Sequence, residues 1–168
     1  ITLGYSQAGE VIKVGKGVTN FKVGDRVVSN GSHAEFVSVP KNLVAKIPNN
    51  VSYDEASFTV VSSIGLQGMR LIKPLFGETI VVIGLGLIGL ITIQLLKGNG
   101  CNVIGIDIDE DKVKLAKKFG VKAFSPSHID PVKYVLDFTN NIGADGVIIT
   151  ASSKSNNIIK QSAQMSRK

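Results

Sequence analysis

The spacing of apolar residues divides the chain into three regions, and the first, residues 1–51, contains short stretches that alternate between apolar and polar. Gly15-Lys16-Gly17, Pro40 and Pro48 separate these stretches. Alternation with a period of two predicts strands that are buried on one face. We therefore predict a partial β domain of the kind found in small barrels. Its short strands are expected at 8–14, 34–39 and 43–47, and residues 21–28 are expected to form a turn that leads into a further short strand.

The second region, residues 52–77, has helical signals. Ser52 and Glu55 stand three residues apart at its start, which is the spacing of a capping box. A second helix is predicted over 64–72, because Pro74 cannot continue a helix. We expect these helices to connect the β domain to the last region, with a boundary near 75–77.

In the last region, residues 78–168, apolar runs predict strands and helices in alternation. The run from Ile80 to Ile83 is β-branched throughout, which is typical of a buried parallel strand. We predict an α/β fold with a doubly wound parallel sheet in the spatial order 3-2-1-4, whose fifth and sixth strands have no candidate. The further strands are expected at 102–107, 123–124 and 146–150, and the helices at 87–96, 113–119, 131–139 and 156–165.

A Gly-x-Gly-x-x-Gly motif occupies residues 84–89, between a predicted strand and a predicted helix. Gly84 would allow the tight turn, and Gly86 would let the backbone approach a pyrophosphate. Gly89 would let the helix pack closely on the strand. This context predicts an incomplete Rossmann domain that binds a dinucleotide. A glycine-rich turn in an α/β domain without a nucleotide is the alternative.

The residues around this motif extend the predicted cofactor site. The N–H groups at the start of the helix, at Leu87 and Ile88, would face the phosphates. Asp107 ends the second strand and would accept hydrogen bonds from the ribose hydroxyls of the adenosine. Its carboxylate would repel a 2′-phosphate, and Ile108 and Asp109 follow where an NADP site often carries Arg or Lys. The sequence therefore favours NAD over NADP.

The composition is that of an ordinary globular protein, with 43% hydrophobic and 19% charged residues among 168. No apolar stretch reaches the ~18 residues of a membrane-spanning helix, so we expect no membrane association. Cys101 is the sole cysteine, which excludes an internal disulfide and fits a reducing cytoplasm. A structural thiol is the favoured interpretation of Cys101, with a reactive thiol as the alternative.

The net charge of +6 would suit nucleic acid, but the basic residues are not clustered. Residues 1–75 carry 8 basic and 5 acidic side chains, and residues 76–168 carry 11 and 8, so each part has a charge of +3. The densest lysine run, 112–118, follows acidic residues on one predicted helix, as the helix dipole favours. We expect no nucleic-acid partner.

Three segments, 4–11, 18–27 and 33–40, resemble the medium-chain dehydrogenase/reductase family. The resemblance implies a GroES-like β domain followed by a Rossmann domain, and it covers nearly the whole chain. Residues 66–70 and 152–156 are similar to a zinc-independent subgroup found in two-domain oxidoreductases. The sequence does not begin with Met, so we expect Ile1 to be a cut end, and the absent opening strands of the β domain and strands 5 and 6 of the sheet lead us to expect a chain truncated at both ends.

The chain departs from the zinc-dependent members of that family. Tyr5 stands where those members have a histidine ligand, and Ser63 stands at the position of a cysteine ligand. The loop 29–32 is too short for the four-cysteine lobe of a structural zinc site, and His33 and His128 lack metal-ligand spacing. We therefore expect no zinc.

The resemblance also suggests roles for five side chains. Tyr5 would donate a hydrogen bond or proton to the substrate oxygen, assisted by Ser63, unless Tyr5 only packs in the cleft. Lys112 would approach the adenosine ribose, or else is an ordinary surface lysine. Ala151 and Ser152 would lie near the nicotinamide, by analogy with the fold.

The resulting hypothesis is a zinc-independent, NAD-dependent oxidoreductase that transfers hydride between nicotinamide and an alcohol or carbonyl substrate. The subgroup resemblance suggests a sugar or polyol. The alternative is a dinucleotide-binding module without catalysis, or a truncated remnant. We expect this chain alone to be a poor catalyst that either forms a homo-oligomer, such as a dimer, through exposed apolar surface or depends on sequence missing from it.

Overall fold

The computed structural model describes residues 4–168, and these divide between residues 63 and 64 into two compact units, 4–63 and 64–168. Among the described residues, the first unit contains an antiparallel sheet in the order β1-β2-β3. These strands are Tyr5–Glu10 (β1), Arg26–Ser32 (β2) and Val44–Lys46 (β3), with a short 3-10 helix at Lys41–Leu43. The small core of this unit consists of Val28, Ile47 and Ala56.

The predicted strand at 34–39 is wrong, because this segment has no strand structure. Phe36 and Val37 are exposed by 66% and 41%, so the alternation does not bury one face. Alternation shows where side chains would point, whereas a strand also needs a neighbouring ladder of backbone hydrogen bonds. Likewise, β1 begins at Tyr5 and ends at Glu10, earlier at both ends than predicted.

Two helices follow, Tyr53–Ala56 (α1) and Thr59–Ile72 (α2). The predicted capping box at the start of α1 is confirmed. The Glu55 backbone N–H donates to Ser52 Oγ over 3.2 Å, and the Ser52 N–H donates to Glu55 Oε2 over 2.9 Å. These bonds satisfy two amides that lack partners within the helix. Helix α2 begins five residues before the predicted 64–72.

The second unit alternates strands and helices as predicted. Its described strands pair in parallel in the order β6-β5-β4-β7, which is the predicted order 3-2-1-4. The parallel α/β architecture is therefore confirmed. The strands are Thr79–Ile83 (β4), Asn102–Ile106 (β5), Lys122–Phe124 (β6) and Gly146–Ile149 (β7), and the helices are Leu87–Gly98 (α3), Glu110–Lys118 (α4), Pro131–Phe138 (α5) and Asn157–Met165 (α6).

Strand β4 is the centre of this sheet and is buried on both faces. Ile80 and Val82 pack in one core with Ile93 and Leu96 of α3. Val81 and Ile83 belong to a second core on the other face. Burial on both faces explains the unbroken β-branched sequence of this strand. Within residues 4–168, no helix combines the length and apolar character needed to cross a membrane.

Candidate dinucleotide site

The glycine motif lies at the carboxyl end of β4, between the neighbouring strands β5 and β7. Ligands of doubly wound sheets bind at this edge, where the strand order reverses. The chain leaves β4 through residues 84–86 and enters α3 at Leu87. The predicted strand–turn–helix context of the motif is therefore present.

The three glycines meet different surroundings. Gly84 has a φ of +97°, and a Cβ there would lie 2.5 Å from the Ala151 nitrogen. A Cβ at Gly89 would overlap the carbonyl oxygen of Gly84, so this glycine permits the close packing of α3. At Gly86, by contrast, no described heavy atom outside the two adjacent residues lies within 4 Å of the Cβ position. That open space is where the backbone could approach a phosphate.

Helix α3 points its amino end at this space. No described side chain caps the helix, and the N-cap residue is Gly86. The first amides of a helix lack partners within it, and the helix dipole makes this end positive. The amides of Leu87 and Ile88 are thus suited to an anion such as a pyrophosphate.

The half-buried carboxylate of Asp107 follows β5 and adjoins the turn. Its Oδ2 accepts a hydrogen bond from the Leu85 N–H over 2.6 Å, and its Oδ1 accepts one from the Asp109 N–H over 2.9 Å. The structure therefore brings Asp107 and the glycine turn together. A carboxylate oxygen has more than one lone pair, so these bonds leave capacity for ribose hydroxyls.

Two further predicted residues lie on the loop and helix after Asp107. The Ile108 side chain is 79% exposed, and the Lys112 Nζ lies 3.5 Å from Asp109 Oδ2. Asp109 also caps α4, because its Oδ1 accepts a hydrogen bond from the Asp111 N–H over 3.0 Å. That backbone bond, aided by Lys112, holds the pKa of Asp109 below its usual value despite partial desolvation.

Residues after β7 contact the glycine turn from the other side. The Ala151 N–H donates to the Ile83 carbonyl over 3.1 Å, while Ser152 is exposed. Thr150, which sequence reasoning missed, donates from Oγ1 to the Gly84 carbonyl over 2.6 Å. A polar residue directly after the apolar run 146–149 is the signal that could have identified it.

The two predicted catalytic residues belong to the first unit. Tyr5 opens β1 and is 49% exposed, and its carbonyl oxygen lies 2.8 Å from His33 Nε2. The next residue, Ser6, has a φ of +87° at an irregularity of the β1–β2 register. The Ser63 hydroxyl donates to the Val60 carbonyl over 2.6 Å, a bond local to its helix. A catalytic role for Tyr5 or Ser63 stays a prediction.

The described residues offer no cluster of side chains that fits a zinc ion. Within the part of the chain that the structure describes, no group of three or more His, Cys, Asp or Glu side chains could hold a metal. A catalytic zinc site needs three protein ligands, commonly His, Cys or carboxylate. The tyrosine and serine at positions 5 and 63 are poor substitutes for such ligands.

Comparison with known families places both parts of the chain in one class, a GroES-like domain joined to a Rossmann domain. Residues 1–49 match the family described as alcohol dehydrogenase GroES-like domain. Residues 88–168 match the family described as zinc-binding dehydrogenase. The chain belongs to the medium-chain dehydrogenase/reductase family.

Individual relatives agree with this assignment. The (R,R)-butanediol dehydrogenase of Bacillus subtilis (strain 168) is 30% identical over 160 residues, covering 79% of this chain and 46% of that protein. The solved 2R,3R-butanediol dehydrogenase from Bacillus subtilis is 26% identical, with a TM-score of 0.85, covering 99% of this chain and 56% of the other. An alcohol dehydrogenase from Thermus sp. ATN1 shares the fold, with a TM-score of 0.91 at 24% identity, covering 98% and 58%. The chain spans about half the length of the relatives it matches.

Proposed function

We propose that this chain is part of an oxidoreductase that binds NAD(H) and transfers hydride between nicotinamide and an alcohol or carbonyl group. The observation that supports this proposal most directly is the arrangement at the end of β4. It combines open space at Gly86, the uncapped start of α3 and the Asp107 carboxylate beside the turn. The names of the relatives, which are butanediol, alcohol and sorbitol dehydrogenases, support the reaction class.

The proposed preference for NAD over NADP follows from charge. The Asp107 carboxylate would accept hydrogen bonds from ribose hydroxyls but would repel a 2′-phosphate. The next side chain, Ile108, is apolar and exposed, so it offers no positive partner for that phosphate. Lys112 is drawn towards Asp109, which reduces its net attraction for an anion. Lys112 would approach the adenosine ribose from this loop.

When bound, the nicotinamide ring supplies or accepts the hydride, and the chain supplies orientation and electrostatics. Ala151 and Ser152, which follow the strand beside the turn, would lie on the nicotinamide side. Tyr5 would donate a hydrogen bond or proton to the substrate oxygen, with Ser63 assisting, in place of a zinc ion. The substrate class that we propose is a small alcohol or polyol.

The first test is a titration of this chain with NADH and NADPH in parallel, following cofactor fluorescence. We expect saturable binding with NADH clearly preferred. Preference for NADPH would contradict the role of Asp107, and binding of neither by the folded chain would contradict the proposed function. Binding by this chain, together with no turnover of any alcohol by the complete protein, would favour a dinucleotide-binding module without catalysis.

The role of Tyr5 is tested by Tyr5→Phe, which removes only the hydroxyl group. The measurement uses the complete enzyme, because this chain alone is expected to be a poor catalyst. With butanediol or sorbitol as substrate, we expect turnover to fall by about tenfold or more, within the usual contribution of acid–base catalysis. The NADH dissociation constant should not change. Treatment with a chelator should leave the turnover of the unaltered protein intact. Unchanged turnover in the variant would reject Tyr5, and loss of activity on chelation would reject the zinc-independent reaction.

A further inference from the structure

One peptide group in the glycine turn, the bond between Gly84 and Leu85, is held at both ends by side chains from neighbouring strands. Its carbonyl oxygen accepts a hydrogen bond from Thr150 Oγ1 over 2.6 Å. Its N–H donates to Asp107 Oδ2 over 2.6 Å. Thr150 follows β7 and Asp107 follows β5, so the two bonds reach this peptide from opposite sides of β4. We call it the clamped peptide.

The backbone beside the clamped peptide is also fixed, in this case by backbone hydrogen bonds to the neighbouring strands. The Gly84 N–H donates to the Ile106 carbonyl over 2.8 Å, and the Thr150 N–H donates to the Ile83 carbonyl over 2.8 Å. The Leu85 side chain is fully buried, and a Cβ on Gly105 of β5 would lie 3.0 Å from its Cδ2. The side chain of Leu85 therefore anchors the turn in the core below.

Fixing this peptide has a consequence for the residues that follow it. The orientation of the Gly84–Leu85 plane sets the direction in which the chain reaches Gly86 and the first amides of α3. Those amides are the groups proposed to bind the pyrophosphate. A site whose donors are already oriented loses less conformational entropy when its ligand binds. A turn with one of the two bonds missing would have to be ordered by the ligand.

We propose that Thr150 and Asp107 are positioning residues that orient the clamped peptide and thereby set the affinity for the pyrophosphate of the cofactor. This inference rests on the proposed dinucleotide function. It gives Asp107 a second role in addition to ribose recognition, so a substitution of Asp107 meant to admit NADPH would also release the turn. It assigns Thr150 a role in cofactor affinity that needs no contact with the cofactor.

Thr150→Val tests the proposal, because it removes the hydroxyl donor with almost no change of shape. Thr150→Ser is the matched control, since it keeps the donor. The ligands are ADP-ribose, which contains the pyrophosphate, and adenosine, which does not. We expect Thr150→Val to raise the dissociation constant of ADP-ribose about tenfold. The constant for adenosine, and both constants in Thr150→Ser, should stay within about twofold of the original values.

Amide hydrogen exchange measures the clamp without any cofactor. In Thr150→Val and in Asp107→Ala, the Leu85 amide should exchange about fivefold faster or more, as expected when one hydrogen bond of ordinary strength is lost. The Val82 amide, in the strand below, should keep its rate, whereas general destabilisation would accelerate both. If Thr150→Val does not fold, the unaltered protein still tests the clamp, because Leu85 should be protected while Leu87 and Ile88 exchange rapidly.

The outcomes separate this proposal from the proposed function. Unchanged exchange at Leu85 in both variants, or equal weakening of ADP-ribose and adenosine in Thr150→Val, would overturn the clamp. Failure of the unaltered protein to bind ADP-ribose would contradict the dinucleotide function. The exchange rates at Leu85 would still test whether the two side chains hold the clamped peptide. The positioning role would be supported if Thr150→Val shows faster exchange at Leu85 and weaker ADP-ribose binding, while Thr150→Ser keeps the original affinity.

Discussion

Gly86 and Gly98 stand at opposite ends of α3, and at both positions a Cβ would meet no described heavy atom within 4 Å outside the adjacent residues and the backbone of the helix itself. Gly86→Ala should therefore leave the fold intact but place a methyl group where the pyrophosphate is proposed to lie. We expect the NADH dissociation constant to rise by about tenfold or more. Fluorescence titration measures the affinity, and thermal unfolding confirms that the fold is retained.

Gly98→Ala is the matched control, because it makes the same chemical change on the same helix, far from the turn. It should leave NADH affinity unchanged and stabilise α3 by up to about 1 kcal/mol, since alanine favours helix more than glycine. Equal affinity of the two variants for NADH would place the cofactor elsewhere than at the start of α3.

At the residue level, spacing along the chain was enough to predict Gly84, Gly86, Gly89 and Asp107 as residues of the cofactor site. The glycines act through backbone conformation and close approach, which leave a local signature. Thr150 had no such signature, because its hydroxyl contacts a carbonyl 66 positions earlier. The bond between Asp107 and Leu85 was missed for the same reason, since it depends on how neighbouring strands align.

At the level of elements, the parallel sheet was easier to predict than the antiparallel one. Its central strands, β4 and β5, are almost wholly buried, so their apolar runs identify them without knowledge of a partner. The segment 34–39 has an alternating pattern, but no strand among the described residues pairs with it, and it stays irregular.

The starts of β4 and β7 are joined by the carboxylate of Asp145. Its Oδ2 accepts a hydrogen bond from the Thr79 N–H over 2.8 Å, and its Oδ1 accepts one from Arg167 over 2.5 Å. Burial raises the pKa of Asp145, but the bonds from Arg167 and Thr79 outweigh it and hold the pKa below the ordinary 3.8. The charged form is thus the one that stabilises the fold.

The free energy of unfolding should follow this pKa. A carboxyl group with a lowered pKa contributes stability that is fully present above its unfolded pKa, near 3.8, and is lost as the pH falls through the folded value. The free energy of unfolding of the original protein, measured by urea titration, should fall over that acid range. In Asp145→Asn it should depend less on pH. Arg167→Gln should lower stability at neutral pH, whereas Lys168→Gln, with the same charge change, should have little effect. Identical acid profiles for the original protein and Asp145→Asn would contradict this account.

At the scale of the whole molecule, the two units have cores of very different size. The first unit buries Val28, Ile47 and Ala56, whereas the second has a core on each face of its sheet. Hydrophobic stabilisation grows with the apolar area removed from water, so the first unit should be much the weaker. Composition alone could not reveal this, because apolar residues of 1–63 such as Ile12 and Phe36 are largely exposed.

We therefore expect unfolding in two steps, with the first unit losing structure at lower urea concentration. Val28→Ala and Val81→Ala make the same change in the two units, at side chains exposed by 6% and 0%. Each should cost about 1–3 kcal/mol, because it deletes buried methyl groups and leaves a cavity. Val28→Ala should shift only the first transition, and Val81→Ala only the second, as followed by the amide exchange of residues in each unit. A single transition that both substitutions move equally would show that the two cores unfold as one cooperative structure.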